Sequence, residues 1–189
     1  MMPELTEAQV YRNAADVQRY HVMRTIRTQT VGQHTFNMLM LIKQATEGQG
    51  YLPTDMLELY HRVMHHDLPE LYTGDIPGPI KRAHPSLGPL LDEIEEDLQP
   101  VFRPDLGDLD PELAVLLKWA DRVEGAMWAM EELRMGNTYL RKTVERYLGW
   151  LINARIPDCA SELTTALVFA AFEEFNITPA TGATLEQRA

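Results

Sequence analysis

Val63-Met64-His65-His66-Asp67-Leu68-Pro69-Glu70 closes a segment whose apolar positions, Met56, Leu57, Leu59, Tyr60, Val63 and Met64, recur at helical spacing. His66 and Asp67 therefore stand at a helix end, with an imidazole nitrogen and a carboxylate on adjacent positions. Such a pair can hold one divalent cation, but imidazole and carboxylate sites need four or more ligands in total, some of them water. The chain offers two more candidates, each inside a strongly helical segment: His34 in Thr30-Val31-Gly32-Gln33-His34-Thr35-Phe36, and Asp121 in Lys118-Trp119-Ala120-Asp121-Arg122-Val123-Glu124. Their convergence in the interior of a helical bundle is the expectation. A lone histidine on an apolar helix is more often a hydrogen-bonded core residue. Two carboxylates among Leu, Met and Trp, however, would each be costly to bury without a cation. His65 serves as an internal control, because adjacent helical positions point about 100° apart and only one of the two histidines can face the ion. His61 and His84 are expected to be solvated or structural.

Working outward, Thr6 followed by Gln9 reads as a capping box opening a helix to about Gln18. Arg19 to Arg27 breaks the pattern. A second helix runs from about Thr30 to Thr46, apolar on several sides and ended by Gly48 and Gly50. Thr54 or Asp55 is expected to cap the third, which ends at His66. Five prolines and three glycines between Leu68 and Pro89 predict a long ordered loop with at most short helical turns, and loops of that length inside compact domains are usually functional. Leu90 to Val101 reads as an acidic amphipathic helix. Asp110-Pro111-Glu112 opens another, with proline in the first turn, running through Asp121 towards Met135. Thr138 to Ala154 and Asp158 to Phe175 complete the set, and the tail from about Thr178 is expected to fray. No strand signal or internal repeat is present. The fold class is all-α.

The chain has 189 residues, 45% of them hydrophobic, enough to build one domain over residues 1–189 with a proper core. A formal charge of −11 disfavours sequence-independent binding to a nucleic-acid polymer. Arg19, Arg24 and Arg27 still make a local cluster of cations. The single cysteine, Cys159, excludes an intramolecular disulfide and suits a reducing compartment. The N-terminus lacks a signal peptide's basic and apolar regions, and the longest apolar run, Ala166 to Phe172, is too short to cross a bilayer. A cytoplasmic protein with no membrane partner is expected, in the host cytoplasm if the source is viral.

The order His34, His66-Asp67, Asp121 resembles the HD-domain metal-dependent phosphohydrolases. Two longer stretches, Met23 to His34 and His66 to Lys81 with its Thr73-Gly74-Asp75, are similar to the YfbR-type 5'-deoxynucleotidases and the related phage dATP triphosphohydrolases of the DatZ type. The resemblance covers roughly residues 10 to 155. It implies an HD-domain bundle of about seven helices. It also implies a divalent ion (Zn, Co, Mn or Mg) on His34, His66, Asp67 and Asp121, with further cations possible at Glu70 and Asp75. By the same resemblance Glu70 stands beside the scissile phosphate as a proton carrier or ligand, and Asp75 lies near sugar and phosphate. Taken alone, Asp75 would more simply be a turn aspartate bonding its own backbone. Arg19 and Lys81 match phosphate-facing cations, against the alternative of solvated surface charges. Tyr20 stands where the deoxynucleotidases usually have a tryptophan that closes the sugar pocket. Val22 would narrow that pocket, and Pro79 would pack beside the base. A solvated face is the simplest reading of Lys118, Arg122 and Glu124, and core or subunit interface that of Trp128, Met130 and Met135.

The implied reaction is hydrolysis of a deoxynucleotide between the 5'-oxygen and the first phosphorus. The compact length, the spacing around Arg19-Tyr20-His21-Val22 and the Gly78-Pro79 turn look more like the phage enzymes. The first expectation is therefore dATP cleaved to deoxyadenosine and triphosphate, as in viruses that replace adenine by 2-aminoadenine. A 5'-deoxynucleotidase acting on monophosphates is the alternative, and a non-catalytic HD nucleotide-binding module the rival from another class. A homo-oligomer is expected in each case.

Overall fold

The computed structural model describes residues 6–91, 93–94 and 108–177. The expected acidic helix Leu90 to Val101 lies mostly outside the described residues, and the tail from Thr178 wholly so. The chain forms two compact units, one built from residues 1–36 and 53–109 and the other from 37–52 and 110–189.

In the first unit, helix α1 (Glu7–Ala15) opens on the expected capping box: Gln9 N–H donates to Thr6 Oγ1 at 3.4 Å and Thr6 N–H to Gln9 Oε1 at 2.9 Å. Beyond it lie two short strands that the sequence did not signal. Strand β1 (Gln18–Arg19) pairs antiparallel with β2 (Gln29–Thr30), Gln18 opposite Thr30 and Arg19 opposite Gln29. Two polar residues per strand are too few to show alternation, which explains the miss. Helix α2 (Val31–Thr46) follows β2 directly. It too begins in a reciprocal box: Thr30 N–H donates to Gln33 Oε1 at 3.1 Å, and Gln33 N–H to Thr30 Oγ1 at 3.3 Å. Gly32 lets this first turn press on the end of α1, since a Cβ there would sit 2.9 Å from Ala15 Cβ. The absence of a side chain at Gly32 thus sets how closely the turn that leads into His34 approaches α1.

Helix α3 (Pro53–His65) starts earlier than the expected Thr54 or Asp55 cap. Proline's fixed φ suits the first turn, and Thr54 Oγ1 instead donates to Asp55 Oδ1 at 3.3 Å. The proline-rich loop holds two short helices, α4 (Glu70–Thr73) and α5 (Gly78–Ala83). Val10 and Ala14 of α1 pack on Leu68, with Leu71 and Tyr72 against them. This apolar patch clamps the turn that presents Asp67 and Glu70.

The second unit is organised on α6 (Pro111–Arg134), capped by Asp110, whose Oδ1 accepts from Glu112 N–H at 2.8 Å. Against it pack α7 (Arg141–Asn153) and α8 (Ser161–Phe175), each entered through a 3-10 turn, Thr138–Leu140 and Asp158–Ala160. Leu116, Trp119, Val123, Met130, Leu140, Leu148 and Leu151 form its interior. Trp119 Nε1–H donates to Thr164 Oγ1 at 2.8 Å, and that hydroxyl donates to Ala160 O at 2.8 Å. Trp128 and Met130 are buried, as the core reading expects, while Met135 is exposed. Among the described residues no helix is long and apolar enough to cross a membrane.

Candidate metal centre

His34 is fully buried on α2, and its ring centroid lies 5.7 Å from that of His66. Asp67 reaches both rings: Oδ2 is 3.7 Å from His34 Nε2, and Oδ1 is 3.2 Å from His66 Nε2. The other nitrogen of His66 fixes what this means. His66 Nδ1 is 2.8 Å from Val63 O, and a carbonyl can only accept, so Nδ1 carries a proton and donates. In the neutral ring Nε2 is then a lone pair, buried, with no hydrogen-bond partner, facing an oxygen that is also a lone pair. Only a proton or a metal cation relieves that apposition. A histidine whose Nδ1–H is tied to a backbone carbonyl is the usual way a metal-binding Nε2 is oriented. The residues present in this unit, His34, His66 and Asp67, therefore fit a divalent ion.

His65 behaves as the control requires. Its Nδ1–H donates to His61 O at 2.6 Å, and its Nε2 accepts from Tyr11 Oη at 3.0 Å. The two adjacent histidines thus share a tautomer and differ in what meets the second nitrogen: a hydroxyl donor for His65, a carboxylate for His66. Tyr11 is a structural partner of His65 that sequence reasoning did not find, because the two lie 54 residues apart.

Glu70 opens α4 immediately beyond the ligand turn. Burial first, then the negative charges of Asp67 and Asp75, push its carboxyl up to about 8, against the smaller opposing pull of Arg19 and Lys81. Its Oε2 is buried without a hydrogen-bond partner. With no cation beside Asp67, these surroundings favour the protonated form of Glu70, which feels two carboxylates and two cations at once.

The substrate-facing candidates of this unit differ in standing. Asp75 accepts a hydrogen bond at Oδ2 from the Tyr20 backbone N–H at 2.9 Å, so it does not cap its own turn. Tyr20 has φ +58°, and the Arg19 guanidinium lies 5.4 Å from its ring centroid. Arg19 Nη1 donates to Oε1 of buried Gln29 at 3.2 Å, which makes Gln29 the prop of that cation. Lys81 is on α5 and exposed; Val22 is exposed as well. Pro79 sits in α5, and its side chain lies outside the described residues.

In the second unit, Asp121 lies in the middle of α6, a quarter exposed, with Arg122 Nε 3.6 Å from its Oδ2. Lys118 and Arg122 both approach the Trp150 ring, at 5.9 and 5.8 Å. The expectation of a solvated Glu124 is corrected: it is buried, and its Oε1 accepts from Asn37 Nδ2 at 3.0 Å. A buried carboxylate is tolerable when hydrogen-bonded, and the amide that satisfies it comes from a different helix, 87 residues upstream.

Comparison with known proteins bears on this geometry. The profile of the 5'-deoxynucleotidase YfbR-like family matches residues 9–164. A 5'-deoxynucleotidase of Vibrio cholerae is 31% identical over 141 residues, 64% of this chain and 71% of the relative. One from Photorhabdus laumondii is 29% identical over 150 residues, 69% of this chain and 75% of the relative. Among solved structures, the cyanophage S-2L HD phosphohydrolase DatZ, bound to dA and one catalytic Zn2+ ion, superposes with a TM-score of 0.63 at 22% identity, covering 93% of this chain and 100% of that one. An HD-domain phosphohydrolase of Listeria innocua superposes with a TM-score of 0.63 at 20% identity, covering 89% and 85%. These two likenesses establish the helical HD-type fold.

Proposed function

Since the chain belongs to the YfbR-like 5'-deoxynucleotidase family and is an HD-domain phosphohydrolase, we propose that it hydrolyses the 5'-phosphate ester of a deoxynucleotide, with a deoxynucleoside monophosphate as the first substrate class. The observation that carries the reading is the apposition of His66 Nε2 and Asp67 Oδ1 at 3.2 Å, a ready-made seat for a cation. His34, His66, Asp67 and Asp121 are the proposed ligands. A divalent ion held by them supplies Lewis acidity, drawing charge from phosphate oxygens and lowering the pKa of water.

The chain's own groups do the rest in this reading. The Arg19 guanidinium grips phosphate oxygens, suited to that task by its paired donors, and Lys81 adds a second positive charge. Glu70, protonated at neutral pH, hands its proton to the departing 5'-oxygen, the act for which a carboxyl raised to about 8 is matched. Tyr20 forms the aromatic wall of the sugar pocket, with Val22 and Pro79 beside sugar and base. Asp75 works next to them. A homo-oligomer is proposed with it.

Cleavage of dATP to deoxyadenosine and triphosphate is the second reading. Arg24 and Arg27, on the same segment as Arg19, favour it as charges for phosphates beyond the first. Incubating zinc-, cobalt-, manganese- or magnesium-loaded protein with all deoxy- and ribonucleotides at mono- and triphosphate level, and separating products by charge, decides the matter. Phosphate from deoxynucleoside monophosphates is the expected result; intact triphosphate from dATP alone would establish the second reading. No turnover by any metal-loaded form would leave a nucleotide-binding module.

A further inference from the structure

Asp75 and Tyr20 are 55 residues apart in the chain and joined by one hydrogen bond, from the Tyr20 backbone N–H to Asp75 Oδ2. The donor residue is an unusual one. Tyr20 has φ +58°, in the left-handed region that side chains other than glycine, asparagine and aspartate seldom occupy. Its carbonyl accepts from Met23 N–H at 2.9 Å, closing a tight turn directly after β1. A bulky aromatic residue keeps such a backbone only when its surroundings over-determine it. Two main-chain bonds contribute here, and one of them depends on a carboxylate delivered from elsewhere.

The acceptor is delivered with equal care. Gly74, at φ +66°, ends α4 with its N–H on Glu70 O at 2.8 Å and turns the chain out of the helix, so that Asp75 is projected immediately after the turn that carries Glu70. The Asp75–Tyr20 bond thereby ties the Glu70 turn to the edge that carries Arg19 and Tyr20. Arg19 is held from its other side by Gln29 and lies over the Tyr20 ring. A slip of the Tyr20 backbone would move the guanidinium and the aromatic face together, relative to Glu70.

We propose that Asp75 is a positioning and specificity-determining residue: its carboxylate holds the left-handed backbone of Tyr20 and so keeps the aromatic wall and Arg19 in register with Glu70. This rests on the reading of Tyr20 as the wall against the sugar. A wall that excludes a 2'-hydroxyl discriminates only as well as it is rigid, and the tether supplies rigidity without itself touching the sugar.

The test is a double-mutant cycle on the metal-loaded enzyme, with KM, kcat and the deoxy-to-ribo ratio read for each form. Asp75→Asn retains an oxygen acceptor and should stay within about threefold of the parent, whereas Asp75→Ala should raise KM about tenfold and erase most of the sugar preference, with kcat changing less. Tyr20→Gly adopts the turn unaided, so adding Asp75→Ala to it should change KM by less than about twofold. Equal factors in both backgrounds, or an Asn variant as damaged as the Ala variant with the loss in kcat, would overturn the proposal and make Asp75 a group that meets the reacting atoms. Amide exchange at Tyr20 gives a readout independent of turnover: protected in the parent and Asn protein, unprotected in the Ala protein. Equal exchange in all three would sink the tether even if the enzyme is active. An inactive parent with the expected exchange pattern would fault the function reading instead.

Discussion

His66 Nε2 stands 3.2 Å from Asp67 Oδ1, while the same nitrogen of its neighbour His65 is met by the Tyr11 hydroxyl at 3.0 Å. Two residues of one type, adjacent in the chain, therefore face opposite chemistry. Zinc titration followed by calorimetry should show binding lost in His66→Ala and Asp67→Ala, with helical content retained. His65→Ala should bind zinc nearly as the parent does, and should cost about 1 kcal/mol of stability for the lost hydrogen bond. Zinc binding abolished equally by both histidine variants would break the assignment.

Glu70 makes stability depend on pH with a definite sign. Its carboxyl is raised from 4.5 to about 8, so the folded protein keeps a proton that the unfolded chain gives up. The contribution of Glu70 to stability is thus fully present below about pH 4.5 and is lost as the pH climbs through 8, by on the order of a few kcal/mol once relaxation is discounted. Glu70→Gln removes the titration. Urea unfolding of the chelator-treated proteins at pH 5.5, 7 and 8.5 should show the variant gaining on the parent as pH rises. A constant difference across the three would mean that Glu70 titrates normally.

What could be read ahead of the structure was what local chemistry encodes. The capping pair Thr6 and Gln9, the Asp110-Pro111-Glu112 opening of α6 and the glycines after α2 each fix an element end by contacts within a few residues. The order His34, His66-Asp67, Asp121 stands out in the sequence because ligand chemistry restricts residue type. Glu124 was misread because its burial is decided by Asn37, 87 residues away, and nothing in α6 alone distinguishes it from a solvated acid. The Asp75 tether and the Tyr11 prop escaped for the same reason. The β1–β2 pair escaped for another: four polar residues carry no alternation to read.

Gly32 should not accept even a methyl group. An added Cβ would lie 2.9 Å from Ala15 Cβ and 3.1 Å from Ala15 O, and backbone cannot swing aside as a long side chain can. Alanine's better helix propensity would be worth less than 1 kcal/mol, whereas overpacking typically costs about 1–3 kcal/mol, so the sign is set by the clash. Gly32→Ala should lower the urea midpoint and, by moving the first turn of α2, weaken zinc binding through His34. An unchanged or raised midpoint would show that α1 and α2 can separate freely.

Thr164 offers a test of whether the second unit depends on a polar contact in its core. The Trp119 indole is fully buried, and its N–H has Thr164 Oγ1 at 2.8 Å as acceptor. Valine matches threonine in shape, so Thr164→Val opens no cavity; it strands the indole N–H in an apolar interior and should cost about 1–3 kcal/mol. Thr165→Val, one position on and exposed, should stay within about 0.5 kcal/mol of the parent. Changing both partners separates desolvation from packing. If the cost comes from a stranded donor, Trp119→Phe with Thr164→Val should lose clearly less than the sum of the two single variants, because no polar group is then left without a partner. Simple additivity would assign the cost of the Thr164 change to lost packing around α8 rather than to the hydrogen bond.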